Sequence, residues 1–482
     1  MKYRCKICNY IYDEEKEGKK FNELSSFTCP MCFVDKVMFE RLDDDILYPE
    51  SKKIFKNAVV FSDENKGVEK DDAKCIDCGI CKETCDRITG LDFGLRVEEC
   101  LACGQCVITC PTFSLMPKKD KNKVLKALKE GKKLICYTSP AIRVSIGEAF
   151  GYELGTFLKE KLVGVLRKLG FTYVFDTTFG ADLTIMEESA ELKNRLENNG
   201  VLPMITSCCP AWVKYAEMKY PEILDHLSTC KSPIGMQGAM VKSYYLEKTG
   251  LKDDEVFTVA ITPCTAKKFE LARVELEGTD AVITIRELIE WIKEEKIDFE
   301  QIGESNFDDL LGEGSGGGTI FGSTGGVMES AIRNLYHMYT NESLEKANID
   351  LSNIRSYDNV KEATVTIQGK DIRVAVIHKL SAAKPILEEI KAGTSPYHFI
   401  EIMNCEGGCV GGGGQPVHQT EEETKVKEKR RKGLYHRDEE VRTKAPYENP
   451  EIQKIYQEFL VAPNSEIAHK YLHTSYINRR DT

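Results

Sequence analysis

The 482-residue chain contains no uncharged apolar run approaching 18 residues, so no transmembrane helix is expected. Its start, Met1-Lys2-Tyr3-Arg4, leads straight into Cys5 without the apolar region of a secretory signal, and no twin-arginine export signal is present. Positive charge is not in excess either. Against 77 acidic residues stand 66 basic ones, a net of −11, which argues against nucleic acid as a partner. The glycine-rich stretches at 312–318 and 322–326 lack a Walker lysine, which disfavours a phosphate cradle. Cysteine, by contrast, is abundant. There are 19, and their CxxC spacing points to metal ligation in a reduced cytoplasm rather than to a disulfide framework.

Residues 205–212, ITSCCPAW, follow a short apolar run at 202–205 that reads as a buried strand. Neighbouring side chains at a strand end point in different directions. Cys208 and Cys209 can therefore give one thiolate to a metal and leave the other beside it; two buried structural thiols are the plain alternative. Two later stretches repeat the arrangement. Thr262-Pro263-Cys264-Thr265-Ala266-Lys267-Lys268 follows the apolar run 256–261, and Asn404-Cys405-Glu406-Gly407-Gly408-Cys409 follows 399–403. Parallel α/β sheets gather functional residues at the carboxyl ends of strands. Cys209, Cys264, Cys405 and Cys409 are thus candidates to converge on one cubane, for which four thiolates are the usual ligands.

Upstream, Cys75, Cys78, Cys81 and Cys85 and then Cys100, Cys103, Cys106 and Cys110-Pro111 repeat one spacing, C-x₂-C-x₂-C-x₃-C. This is the two-cluster pattern of bacterial ferredoxins, in which the fourth cysteine of each run serves the other cluster. The implied ligand sets are Cys75, Cys78, Cys81, Cys110 and Cys100, Cys103, Cys106, Cys85. Gly79 and Gly104 sit where the loop must wrap closely around a cubane. Nearer the start, Cys5-Lys6-Ile7-Cys8 and Cys29-Pro30-Met31-Cys32 form two knuckles suited to tetrahedral zinc or a single iron. Their flanks resemble rubredoxin, although the loop between knuckles is shorter than in free-standing rubredoxins and leaves room for a zinc ribbon. Iron is favoured because the rest of the chain is electron-transfer machinery. Residues 43–72 are charged, carry no motif and read as a linker.

A basic helical pattern at 122–131 leads into strand 133–138, where Cys136 is expected to be a core thiol. Helix 155–169, strand 171–176, helix 181–198 and strand 202–206 alternate as one α/β lobe, and strands 256–261, 281–284, 374–377 and 399–403 build a second. Residues 420–432, of mixed charge, are expected to be solvated, and an amphipathic helix at 451–460 to wrap the core.

The stretches TSCCP, PCxxK and ExMxCxxGC, in that order, resemble the signatures of the catalytic domain of FeFe hydrogenases over residues 130–420. The resemblance implies reversible formation and heterolytic cleavage of dihydrogen at an H-cluster. That cofactor is a 4Fe–4S cubane joined through a cysteine sulfur to a diiron unit with CO, cyanide and a bridging amine dithiolate. Two further 4Fe–4S clusters and one iron or zinc would sit in the N-terminal modules. Implied partners are ferredoxin or another small electron carrier and the maturation enzymes. The implied division is a rubredoxin-like module (1–43), a linker (44–70), a two-cluster α+β ferredoxin module (71–120) and an α/β catalytic domain (121–420). The last has two lobes with mostly parallel sheets around the buried cluster. A helical small-subunit-like segment (430–482) completes the chain.

Roles are implied by the same resemblance. Cys208 matches the proton-relay thiol, whose pKa nearby metal and positive charge would lower. Glu188 and Glu191, three apart on one helix face, Ser228, and Arg195 one turn further match the relay to solvent. By themselves, two glutamates at this spacing would be exposed salt-bridge partners. Lys267 matches a donor to one cyanide, with Lys268 its surface-facing neighbour. Ser139 and Pro140 match backbone contacting the other cyanide, Met403 a thioether packed on the diiron unit, and Phe321 a glycine-rich stretch closely approaching the cofactor. Thr262 stands where the best-known members have methionine, Ile234 where glutamine is usual, and Ala211 where glycine is common. Cys230 has no assigned role. Two other readings are a sensory hydrogenase of low activity and a hydrogenase-like iron–sulfur assembly protein without the diiron unit. The latter need not keep Cys208 or Lys267.

Overall fold

The computed structural model describes residues 1–5, 10–24, 26–30, 35–42, 58–61, 65–91, 99–276, 278–344, 351–418 and 422–480. Cys8, Cys32 and most of the expected linker lie outside the described residues.

The first module is a small antiparallel sheet of β1 (Lys2–Cys5), β2 (Ile11–Asp13) and β3 (Phe39–Leu42), in the order β2-β1-β3. Too short to bury much aliphatic surface, it packs rings instead: Tyr3 stacks on Phe21, and Phe21, Phe27 and Phe39 meet edge-on or tilted. Cys5 and Cys29 are fully buried. In the next module β4 (Val68–Lys70) pairs antiparallel with β5 (Leu115–Pro117). Residues expected to end the linker therefore open the module that carries eight cysteines. Helices Ile80–Thr89 and Gln105–Thr109 pack on each other there, each entered through a glycine with positive φ, Gly79 and Gly104. A Cβ on Gly104 would stand 2.5 Å from the Thr265 hydroxyl, so this module sits tightly against the α/β region that follows.

The α/β region is built from β6 (Lys133–Thr138), β7 (Phe171–Asp176), β8 (Met204–Ile205), β9 (Val256–Thr262), β10 (Ala281–Thr284), β11 (Val360–Ile367), β12 (Lys370–His378) and β13 (Phe399–Met403). One sheet, β10-β9-β6-β7, is entirely parallel; the other, β11-β12-β13-β8, is parallel except for the β11–β12 hairpin. The expected lobes are thus corrected. Strands 256–261 and 281–284 belong with 133–138 and 171–176, whereas the 202–206 strand shrinks to Met204–Ile205 and joins the sheet of 374–377 and 399–403. All residues of β10 and β13 are buried, which is why these strands read as apolar runs, broken in β13 only by the buried Glu401.

The helix Thr177–Glu197 starts four residues earlier than expected, where the Asp176 carboxylate accepts from the Thr178 N–H. It packs against helices Pro233–Met240 and Gly326–Thr340. A Cβ on Gly180 would meet the Pro233 carbonyl oxygen at 2.2 Å, so glycine is what lets two of these helices approach. The helix expected at 155–169 spans only Lys159–Lys168. A second correction concerns 420–432. Within its described part, helix Glu423–Glu440 begins and buries Val426, Lys427, Arg430 and Leu434. Two of its charges are buried and paired, Arg430 with Glu148 at 2.6 Å and Lys427 with Glu406 at 3.1 Å, while Lys425, Lys429 and Lys432 stay exposed as expected. The remaining C-terminal segment lies over the core through Pro450–Ile455, Tyr456–Leu460 and Glu466–Leu472.

Candidate metal centre

The carboxyl ends of β6, β8, β9 and β13 open on one cavity of about 730 Å³, counted to its mouth. Ser139 and Pro140 line it after β6, Cys208 and Cys209 after β8, Cys264 after β9, and Met403, Cys405 and Cys409 at the end of β13. Lys267, Phe321, Thr262 and Ile234 complete the walls that the sequence singled out. The rest is mostly apolar. All these cysteines are free thiols. Crowding them in a mostly apolar cavity disfavours their thiolates: burial, with Cys209 and other neighbours, pushes Cys264 up to about 11 and Cys405 well above the ordinary thiol. A cluster that replaces the protons with iron removes this cost. Donors already face the sulfurs. The Asn404 N–H lies 3.4 Å from the Cys209 sulfur, and the Gln105 amide nitrogen 3.2 Å from that of Cys405. The donor set fits a thiolate-bound iron–sulfur cluster.

Gln105 was not anticipated from sequence, although it sits inside the Cys103-Gly104-Gln105-Cys106 run. It also donates to the Gly411 carbonyl, tying the eight-cysteine module to the cavity. Within that module, burial and the neighbouring Cys78 and Cys110 thiols push Cys81 up, while Cys85 is raised by burial with Cys100 beside it. Cys110 thus lies near the first run and Cys85 near the second.

Lys267 is buried, its Nζ 2.6 Å from Glu270 and 3.2 Å from the Cys208 carbonyl oxygen. Burial opposes its charge, but Glu270 more than offsets this and holds the ammonium above the ordinary lysine value. Lys268, expected at the surface, is buried too, 3.0 Å from Asp120 and 3.5 Å from Glu287. That expectation fails because its partners come from distant stretches.

Behind the cavity stands a line of acids. Glu188 is buried with no well-formed hydrogen bond to either carboxylate oxygen, although the Ser228 side chain and the Ser207 backbone come close enough to favour its charged form. Burial, with Glu191 adding repulsion, pushes it up to about 8. Glu191 accepts from the Ser228 hydroxyl at 2.9 Å, and Arg195 donates to it at 2.6 Å. Arg195 also donates to the carbonyls of Val201, Asp225 and Leu227, which fixes it at the mouth of the line. These glutamates are buried, not exposed salt-bridge partners. Cys208, facing Glu188, is pushed well above the ordinary thiol by burial first and Glu188 second. The protein's own groups therefore favour the protonated thiol.

Strand-end thiols around a mostly apolar cavity, beside an eight-cysteine module and backed by buried acids, define an α/β protein suited to holding iron–sulfur clusters. A family model of the iron-only hydrogenase large subunit, C-terminal domain, matches residues 132–413, and one of the iron hydrogenase small subunit matches 424–479. The chain is 41% identical over 448 residues to iron hydrogenase 1 of Clostridium pasteurianum, covering 87% of this chain and 78% of that one. A solved variant of apo [FeFe]-hydrogenase HydA1 from Chlamydomonas reinhardtii superposes with a TM-score of 0.65 at 37% identity, covering 74% of this chain and 98% of that one. Protein NAR1 of Arabidopsis thaliana is 30% identical over 411 residues, 79% of this chain and 85% of that one. The chain belongs to the iron-only, or FeFe, hydrogenase family, which implies an H-cluster and iron–sulfur clusters.

Proposed function

We propose that this protein is an FeFe hydrogenase catalysing 2H⁺ + 2e⁻ ⇌ H₂. One observation carries the reading: Cys209, Cys264, Cys405 and Cys409 share a cavity with Cys208, and Glu188, Ser228, Glu191 and Arg195 line up behind it. In this reading those four cysteines hold the H-cluster, which supplies the open metal site and the first base when bound. Lys267 is aimed at an anionic ligand, with Ser139 and Pro140 opposite and Met403 and Phe321 packing the apolar side. Cys208 passes the proton to Glu188. The acid, protonated up to about pH 8, can accept and give it near neutrality. Ser228 hands it to Glu191, and Arg195 marks the exit. Electrons enter from ferredoxin or a similar carrier in the cytoplasm through two 4Fe–4S clusters on Cys75, Cys78, Cys81, Cys110 and on Cys100, Cys103, Cys106, Cys85. Cys5, Cys8, Cys29 and Cys32 would hold one iron. No helix among the described residues is long and apolar enough to cross a membrane.

The relationship to NAR1 supports a second reading, a cubane-carrying protein without the diiron unit. Retention of Cys208, Lys267 and the buried acid line favours the enzyme. Protein produced with the maturation enzymes should evolve hydrogen from a reduced dye and exchange H₂ with deuterated water. Fully loaded cubanes with neither activity would favour the second reading.

A further inference from the structure

Cys230 is buried beside the relay and the hydrogenase reading gives it no task. Its sulfur lies 3.9 Å from Glu191 Oε2, and a β-bridge pairs its backbone with His473 of the C-terminal segment. Ligand atoms of Glu191, Cys230 and His473 all lie within 4.8 Å of one another. The two nitrogens of His473 face different partners. Nε2 lies 3.1 Å from Glu187 Oε2, and that buried carboxylate also accepts from the Tyr456 hydroxyl at 2.5 Å and the Asn464 N–H at 2.6 Å. With three donors converging on it, Glu187 takes the Nε2–H. Nδ1 lies 2.7 Å from the Thr229 hydroxyl, whose oxygen is also 3.4 Å from Glu191 Oε2; as the neutral Nε2–H tautomer, His473 offers the Nδ1 lone pair to a cation. An imidazole anchored on one nitrogen by a carboxylate, with the other nitrogen held only by a hydroxyl that can turn aside, resembles the way metal-binding histidines are held. Sulfur, nitrogen and carboxylate oxygen together are ligands for zinc, whereas magnesium and calcium prefer oxygen alone.

We propose that Glu191, Cys230 and His473 form a site for zinc or a similar thiophilic divalent cation, and that its occupation closes the proton exit. The closure rests on the relay reading of Glu191. On binding, the cation displaces the Cys230 thiol proton to solvent and takes the Nδ1 lone pair as the Thr229 hydroxyl turns away. It also takes Glu191 Oε2 from the Ser228 hydroxyl, which leaves Ser228 without the acceptor that receives its proton. No electron moves, and a chelator reverses the step. The exposed ring of His469, its centroid 4.0 Å from that of His473, gives the cation a first foothold on the surface side.

The test adds one equivalent of Zn²⁺ to holoenzyme of known prior zinc content and follows dye-coupled turnover and the zinc K-edge. Expected are a loss of about ten-fold or more in turnover, recovery with EDTA, and zinc with one sulfur at about 2.3 Å among lighter ligands. Zinc in the N-terminal knuckles would show four sulfurs. Cys230→Ala should keep its turnover without zinc yet need ~100-fold more zinc for the same inhibition. His473→Gln should also resist and serves as the second variant if Cys230→Ala folds poorly. Equal inhibition of wild type and both variants, or no sulfur-bound zinc beyond the knuckles, would overturn the site while leaving the relay intact. One-sulfur zinc with unchanged turnover would overturn the closure and, with it, the relay through Glu191.

Discussion

Replacing Glu188 with glutamine keeps the shape of the side chain while removing the proton it can carry, and two independent quantities should respond. Turnover should fall by at least roughly two orders of magnitude, the usual scale for an acid–base group. Stability should change in a pH-dependent way. Below pH 4.5 the carboxyl is protonated whether the chain is folded or not, so the wild type bears no penalty. Above it the unfolded chain releases a proton that the folded one retains up to about pH 8, and wild-type stability falls across that window. From 4.5 to pH 7, at about 1.4 kcal/mol per pH unit, the penalty reaches roughly 3 kcal/mol. The variant escapes it, while the desolvation of its amide is the same at every pH. Thermal unfolding of protein carrying its iron–sulfur clusters, scanned from about pH 5 to 8, should therefore show the melting difference, variant minus wild type, rising with pH. A flat or falling difference would refute the burial argument, and wild-type turnover in the variant would refute the carrier role.

Cys208→Ala should assemble a complete cluster, with CO and cyanide infrared bands, yet lose turnover, and Cys208→Asp should recover part of it. Cys209→Ala should instead lose cubane iron; identical behaviour of the two alanine variants would contradict the division of labour between them. Gln105→Leu removes a donor 3.2 Å from the Cys405 sulfur. If ~1 kcal/mol of that bond differs between oxidation states, the cubane midpoint potential should drop by about 40 mV. A redox titration showing no fall would place the amide elsewhere in the loaded protein. Iron analysis should give about 15 atoms per chain after maturation and about 13 without the maturation enzymes. One equivalent of zinc bound through four sulfurs would reassign the N-terminal knuckles alone.

The strand-end cysteines were legible in the sequence because each comes just after an apolar run, and parallel strands deliver the residues at their carboxyl ends to one edge. Which strands share a sheet was not. β9 and β10 lie far along the chain yet complete the sheet begun by β6, and β8 is only two residues long. Periodicity says nothing about such crossovers. The burial of Lys268 escaped for a similar reason, since Asp120 and Glu287 become its neighbours only through folding. Glu188 and Glu191 were correctly put on one face, but their burial comes from a helix enclosed by two others, which no count of residues along one helix discloses. The coupling of Glu191 to Cys230 and His473 depends on the C-terminal segment returning across the core.

Infrared spectroscopy of protein matured with the full set of maturation enzymes tests the central claim most directly. The account predicts CO and cyanide bands that appear only after maturation, shift under H₂, and persist in Glu188→Gln. Protein with its cubane iron in place and no such bands would contradict it, and would mean that the cavity bounded by Cys208, Lys267 and Met403 does not hold a diiron unit.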